Sequence, residues 1–399
     1  MTGSRELVVS IKGGSRFRSF TAPDMALDGI ATVINATHFL DSTAFVRATA
    51  RLPEQDIARQ TGANVATTPS YRSRQGYLDA APGGVNIAAG AAVTGGRGAG
   101  VRVFDAEGDW ELAHEDRPSN LLSVVFGPAA WPGADQDHGT AVIGVIAAAD
   151  NGFGVTGIAP DASVGMIRFE SNFTKTGDTI RAAADQVMSA GDILVLPITA
   201  GGPDGKMIPI EWWPDNFDAI QHATSNGVIV VAAAGNAGAN LNDPIYDTPM
   251  AGFLRTWRNP LRRGSADSGS ILVGAGLPPG AGLDRSRAPD SNFGSCVDAQ
   301  GWSLNIYTTG YGDVQAGGDP TRFYTSSFGK TSGSSAMIAA VLACAQGARL
   351  AAGKPPWTSL EARAALRASG SPQQSASGVV TEPIGNRPDL AALIALATA

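Results

Sequence analysis

The stretch Phe328–Gly347, FGKTSGSSAMIAAVLACAQG, decides how the rest of the chain is read. It opens on Gly, Lys, Thr and three serines, then becomes an apolar run of small residues without proline. That pattern predicts a loop feeding into a buried helix that starts near Ser332 or Ser334. A serine at such a junction lies where free backbone N–H groups and the positive end of the helix dipole converge. The place suits a negative charge developing on a substrate oxygen. A serine there also serves as a plain N-cap, so the junction takes its meaning from the segments ahead of it.

Upstream, apolar runs alternate with helical patterns. Val101–Asp105 (VRVFD) reads as a strand ending on a carboxylate, and Val164–Phe169, Ile193–Ile198, Gly227–Ala234 and Ser270–Gly276 read as further strands. Helical spacing follows His138 (Val142, Ile143, Ile146, Ala147) and returns at Asp178–Ala190, Phe217–Ser225 and Asp389–Ala399. Apolar strands alternating with helices predict an α/β fold, a mostly parallel sheet with helices on both faces. Residues 1–74 read as a separate, small α+β piece, with a strand at Leu7–Ile11 and a short helix at Leu52–Gly62. A change of composition after Tyr71 sets the boundary, and residues 75–399 form the larger domain.

Composition narrows the function classes. With 399 residues, 43% of them hydrophobic, the chain can bury one large core beside a small second domain. A net charge of -7 argues against nucleic acid or an anionic membrane as partner. Neither a P-loop nor a convincing dinucleotide fingerprint is present. Cys296 and Cys344 lie outside any metal-binding spacing and are expected to be free thiols. No run approaches the roughly 18 consecutive apolar residues of a membrane span, and the first residues lack a signal peptide's apolar region. The expectation is a monomer in the cytoplasm or exported by a non-classical route, or a secreted protein if a leader precedes this chain.

Asp105, His138 and Ser332 all fall at ends of elements in one α/β domain. Together they are the residue set for nucleophilic acyl transfer. Serine needs a base to take its proton, and a buried carboxylate fixes the imidazole tautomer and stabilises the imidazolium. Asn236, after the strand GVIVVAAAG, is placed to offer its amide to an oxyanion, with the Ser332 backbone N–H as the second donor.

These blocks, in the order Asp, His, Ser, resemble the subtilisin-like serine proteases (subtilases) from about residue 85 onward. VRVFDAEGDWELAHED resembles the strand with the catalytic Asp and implies Asp105. DHGTAVIGVIAAADNGFGVTGIAP resembles the histidine block and implies His138. GVIVVAAAGN resembles the oxyanion strand and implies Asn236, and TSGSS resembles the nucleophile motif and implies Ser332. SNFGS, Ser291–Ser295, resembles the loop ahead of the nucleophile region. The family pattern G-T-S-x-A-x-P is altered: Lys330, Ser334 and Ala336 stand where Gly, Ala and Pro are usual. If the Lys330 position requires a positive φ, the lysine there carries strain.

The resemblance also implies a protein or peptide substrate held as an added strand along Thr199, Ala200, Gly201 and Gly202. Ala233, Ala234 and Gly235 would line the pocket for the side chain before the scissile bond, and Trp212 and Trp213 either rim the cleft or belong to the core. No cofactor is required for the chemistry. A structural Ca²⁺ is implied at the Asp150–Val155 loop, with Asp116 and Asn151 as side-chain ligands; the same loop also reads as a simple turn. Residues 1–74 would be a propeptide-like or accessory domain. The expected activity is serine endopeptidase, with a peptide-binding pseudoprotease or a peptide ligase on the same scaffold as alternatives.

Overall fold

The computed structural model describes residues 4–11, 18–23, 44–50, 67–122, 125–131, 133–173, 175–315 and 318–399. Two compact units are present, Met1–Thr67 and Thr68–Ala399. The division falls ahead of the composition change at Tyr71. The Tyr71 N–H donates to Gly154 O at 2.6 Å, and its ring packs on Tyr324 at 5.3 Å, so residues 68–74 belong with the larger unit.

In the first unit, β1 (Ser4–Ile11), β2 (Arg18–Pro23) and β3 (Ala44–Ala50) form an antiparallel sheet in the order β2-β1-β3. The helix expected at Leu52–Gly62 lies outside the described residues.

The second unit is a layered α/β structure. Its strands are β4 (Arg102–Glu107), β5 (Asn120–Leu121), β6 (Ser163–Arg168), β7 (Ile193–Leu196), β8 (Thr199–Gly201), β9 (Met207–Pro209), β10 (Ile229–Ala233), β11 (Ile271–Gly276), β12 (Val297–Trp302), β13 (Ile306–Thr309) and β14 (Tyr324–Phe328). Its helices are α1 (Ile87–Ala91), α2 (Gln136–Ala147), α3 (Thr176–Gln186), α4 (Pro214–Ser225), α5 (Lys330–Ala351), α6 (Ser359–Ala368) and α7 (Leu390–Thr398). Seven strands form a sheet in the order β12-β11-β10-β7-β4-β6-β5, every pairing parallel. β8 and β9 form one antiparallel ribbon and β13 and β14 another.

The two-residue period of the strands explains their uninterrupted apolar sequences. Val103, Ile193, Val195, Ile229, Val231, Ile271 and Val273 face a core shared with α2, α5 and α7. Phe104, Leu194, Leu196, Val230, Ala232 and Leu272 face the opposite core, closed by α3 and α4. β4 lies inside the sheet between β7 and β6, so the groups at its C-terminal end reach the crest where α/β sheets place their chemistry. Among the described residues one helix, α5, is long and apolar enough to cross a membrane, and 83% of its most apolar window is buried in this core. Cys296 and Cys344 are both free and buried.

Candidate active site

Alternation along β4 puts Val103, Asp105 and Glu107 on the face that meets α2. Two carboxylates therefore compete for the role given to Asp105. Glu107, at the tip of the strand, is the one that reaches the histidine: its Oε1 makes a very short hydrogen bond with His138 Nδ1. Asp105 lies one step deeper and is fully buried. Its Oδ2 accepts from Trp110 Nε1 at 2.8 Å, and its Oδ1 has no hydrogen-bond partner. Burial first, and repulsion from Glu107 second, push the Asp105 carboxyl well above the usual range. The expected Asp105–His138 pair is thus corrected to Glu107–His138. Reach decides it, because only the residue at the strand end extends to the first turn of α2.

His138 is held from three sides. Asp135 caps α2, its Oδ1 accepting from the His138 backbone N–H at 3.1 Å. Gln136 Nε2 donates to Asp109 Oδ2 at 2.8 Å, and the Glu111 N–H donates to Thr140 Oγ1 at 2.8 Å, tying the helix start to the segment after β4. The imidazole packs edge-on against Phe328, with centroids 5.6 Å apart. Phe328 ends the strand that leads into α5, so this contact joins the histidine to the helix that carries Ser332. Burial acts to lower the imidazolium pKa. The Glu107 charge and hydrogen bond outweigh it, with a lesser contribution from Asp135, and the value is raised to about 9.

At the start of α5, Ser334 Oγ donates to Lys330 O at 2.9 Å and Ser335 Oγ to Thr331 O at 2.7 Å. Both residues are fully buried and their hydroxyls are directed back along the helix, which leaves Ser332 as the least buried of the three serines. Ser332 Oγ donates to Pro197 O at 3.4 Å, a long contact. Its backbone N–H is in the first turn, with no carbonyl one turn back in the helix. Lys330 adopts φ 55°, the left-handed conformation, at a position where the resemblance implies glycine. Such a φ costs a lysine about 1–2 kcal/mol. The carbonyl oxygen of Asn236 accepts from Thr331 N at 2.9 Å and from Thr331 Oγ1 at 2.8 Å. Those two donors fix the amide orientation, and the Nδ2 hydrogens are left to face away from Thr331.

The segments expected to bind substrate lie together. β8 pairs with β9, with Ala200 opposite Ile208 and Gly201 opposite Met207. Asn292 stitches β9 to the end of β10: its Nδ2 donates to Met207 O at 2.8 Å and Ala234 O at 2.7 Å. Its Oδ1 accepts from Ala237 N at 3.0 Å and Ala239 N at 2.8 Å. Gly235 has φ 106°, and a Cβ there would lie 2.3 Å from Asn292 Nδ2, so the turn ahead of Asn236 needs glycine. The sequence offers Asn292 only as part of SNFGS, with no role attached; four bonds spread over three segments leave no local signal. Ala233 and Ala234 are buried, whereas Thr199, Ala200 and Gly202 are half-buried and Gly201 is exposed. Trp212 is core, its Nε1 donating to Tyr246 O at 2.9 Å. Trp213 Nε1 donates to Gly201 O at 3.0 Å and buttresses β8.

Asp116 and Asn151 also meet, but as hydrogen-bond partners. Asn151 Nδ2 donates to Asp116 Oδ1 at 2.9 Å, while its carbonyl oxygen accepts from Phe153 N at 3.2 Å. Asp116 Oδ2 accepts from Val155 N at 2.7 Å. A cation needs oxygens turned toward it, and here an amide N–H₂ points at the carboxyl. Burial pushes the Asp116 carboxyl up to about 7. His114 is locked as a neutral ring, Nδ1 accepting from Asp116 N at 3.1 Å and Nε2 bonded to Phe323 O at 2.8 Å. These residues do not fit a calcium ion, and the expected ligand pair is corrected to a closed hydrogen-bonded cluster. No group of three His, Cys, Asp or Glu side chains able to hold a metal occurs among the described residues.

The sequence profile of the subtilase family matches residues 127–383. Subtilisin DY of Bacillus licheniformis is 28% identical over 221 residues, 54% of this chain and 69% of its own length. Thermitase of Thermoactinomyces vulgaris is 29% identical over 213 residues, 50% of this chain and 69% of its own. Among solved structures, a protease from Pseudoalteromonas arctica superposes with a TM-score of 0.60 at 22% identity, covering 83% of this chain and 100% of that one. That likeness shows the fold. The profile match spans more than half of the chain: the chain belongs to the subtilase family, and at that level it is a serine-protease-type hydrolase.

Proposed function

We propose that the chain is a serine endopeptidase whose triad is Glu107, His138 and Ser332, with Asn236 Nδ2 and the Ser332 N–H as oxyanion donors. The observation that carries this reading is the Glu107–His138 hydrogen bond. It places the proton on Nδ1 and leaves Nε2 as the basic nitrogen. A peptide lies extended along the free edge of β8, its backbone pairing with Thr199–Gly202. Ala233, Ala234 and Gly235 border the space for the side chain before the scissile bond.

Substrate binding turns the Ser332 hydroxyl from Pro197 O toward His138, since catalytic hydrogen bonds tighten when the site fills. Nε2 takes the Oγ proton as Oγ bonds to the carbonyl carbon. The oxyanion is met by Asn236 and the Ser332 N–H. Collapse breaks the C–N bond, and Nε2 returns the proton to the leaving amine. Water then repeats the sequence and releases the acid. Glu107 holds the ring and stabilises the imidazolium throughout. No step uses a cofactor.

Labelling with a fluorophosphonate, which needs an activated serine, tests the reading. Wild type is expected to label and Ser332→Ala not to; a well-folded wild type that resists labelling would remove the hydrolase reading and leave a peptide-binding pseudoprotease. Intact mass and N-terminal sequencing of the same samples show whether the first unit is cut away as a propeptide or retained as an accessory domain.

A further inference from the structure

The triad assignment leaves a fully buried carboxyl without a task. Asp105 points to the same side of β4 as Glu107, two residues further from the cleft. Its cross-strand neighbours are Met166 on β6 and Val195 on β7, so the sheet supplies no counter-cation. The cation-forming group that acts on it is His138, already engaged by Glu107. One of its oxygens is unpartnered, and the other accepts from Trp110.

Trp110 connects this carboxyl to the histidine. A Cβ added at Gly139 would lie 2.6 Å from Trp110 Nε1, so the indole is wedged against the residue next to His138. Arg168 stacks on the indole at 5.6 Å and its guanidinium also grips Asp109, which in turn holds Gln136 at the start of α2. The depth of Trp110 therefore sets where the first turn of α2 sits.

We propose that Asp105 is a positioning residue working as the neutral acid: it seats Trp110 against the first turn of α2 and leaves Glu107 as the charged carboxylate bonded to the His138 ring. Two like charges on adjacent same-face positions of one strand cannot both ionise without cost, and the deeper one, farther from water, keeps its proton. The raised Asp105 carboxyl agrees with this. The charges and titratable groups facing the pair are Glu107 and Asp109 from the end of β4, His138 and Asp135 from α2, and Arg168 from β6. The proposal rests on Glu107 being the triad acid, and the test separates the two.

The test compares the pH profile of kcat/KM for wild type, Asp105→Asn, Asp105→Ala and Glu107→Gln. Asp105→Asn has the shape and charge of the protonated acid. It is expected to lose less than about ten-fold in kcat and to keep the acid limb where wild type has it. Asp105→Ala, which frees Trp110, is expected to lose about 10–100-fold in kcat with KM little changed. A loss beyond about 1,000-fold in Asp105→Asn, or an acid limb displaced downward, would overturn the neutral acid. Should that variant not fold, Asp105→Thr, which keeps an oxygen for the indole and cannot ionise, is judged by the same limits. Infrared spectra give a direct signature: Ser332→Ala at neutral pH should carry a protonated-carboxyl band that is lost when Asp105→Asn is added, and no such difference would refute the idea. If Glu107→Gln stays active, the triad assignment fails; if both amide variants die, Glu107 stands and the neutrality of Asp105 falls.

Discussion

Two buried carboxyl clusters, one toward each end of α2, are built from similar parts and differ in how they are closed. At the N-terminal end of α2, Glu107 holds His138, and the far nitrogen of that ring remains available to the cleft. Beyond the C-terminal end, Asp116 has both oxygens occupied by Asn151 and Val155, and its neighbour His114 has both nitrogens occupied. Buried carboxyls and a histidine thus leave one ring nitrogen open in one place and close into a structural brace in the other. What separates them is one unpaired ring nitrogen, not the kind of residue.

The largest expected effect lies at the open cluster. Glu107→Gln keeps the shape but loses the charge and can favour the wrong imidazole tautomer; kcat/KM should fall by about 10³–10⁴-fold, and stability at neutral pH should fall as well because the attraction to the His138 imidazolium goes with the charge. A small loss in a peptide-hydrolysis assay would break the contrast drawn here. Next is the pH profile. His138 must be neutral to act as base, and its pKa is raised to about 9, so kcat/KM should climb as pH rises from neutral into the alkaline range. The same shift means that the His138–Glu107 attraction stabilises the fold fully below an imidazole's ordinary value of roughly 6.5 and is lost as pH rises through about 9. An acid limb at or below the ordinary imidazole value would show that Glu107 does not hold the ring in solution.

At the closed cluster the cost should appear in stability alone. Asn151→Ala removes a donor from a buried carboxyl and should cost about 1–3 kcal/mol in urea unfolding of the Ser332→Ala form. Activity of the same substitution in the wild-type background should stay close to that of the parent. The smallest effect expected is that of a chelator. Because the Asp116 cluster is closed by hydrogen bonds, EDTA against added Ca²⁺ should move its Tm by no more than about 1–2 °C. A larger shift would place a metal on oxygens outside this cluster or show that Asn151 turns its amide.

Much of this is legible in the sequence where the signal is local. His138, Ser332 and Asn236 sit in short blocks whose neighbours are fixed by the immediate backbone: a helix start, a helix N-terminus and a tight turn at Gly235. The apolar strands are legible because both their faces are buried. Which carboxylate meets His138 is not, since a strand of period two makes Asp105 and Glu107 equivalent, and only the distance to α2 tells them apart. The Asp150–Val155 loop has the same local sequence whether Asn151 offers oxygen or nitrogen to Asp116; the Phe153 N–H decides it. β12, β13 and β14, with sequences VDAQGW, IYTT and YTSSF, lack an apolar run and give no strand signal of their own. Their register comes from partners distant in sequence.

The position of Ser332 on the end of α5 has a consequence for synthesis. α5 is buried from Thr331 to Ala348, and α7, some forty residues further along, closes over it. During translation the serine emerges well before the residues that cover its helix. Until α7 has left the ribosome, the part of α5 that α7 covers stays exposed as apolar surface. If the proposed reading holds, the order in which the parts appear delays the assembly of Ser332 with its partners until the covering helix has been made.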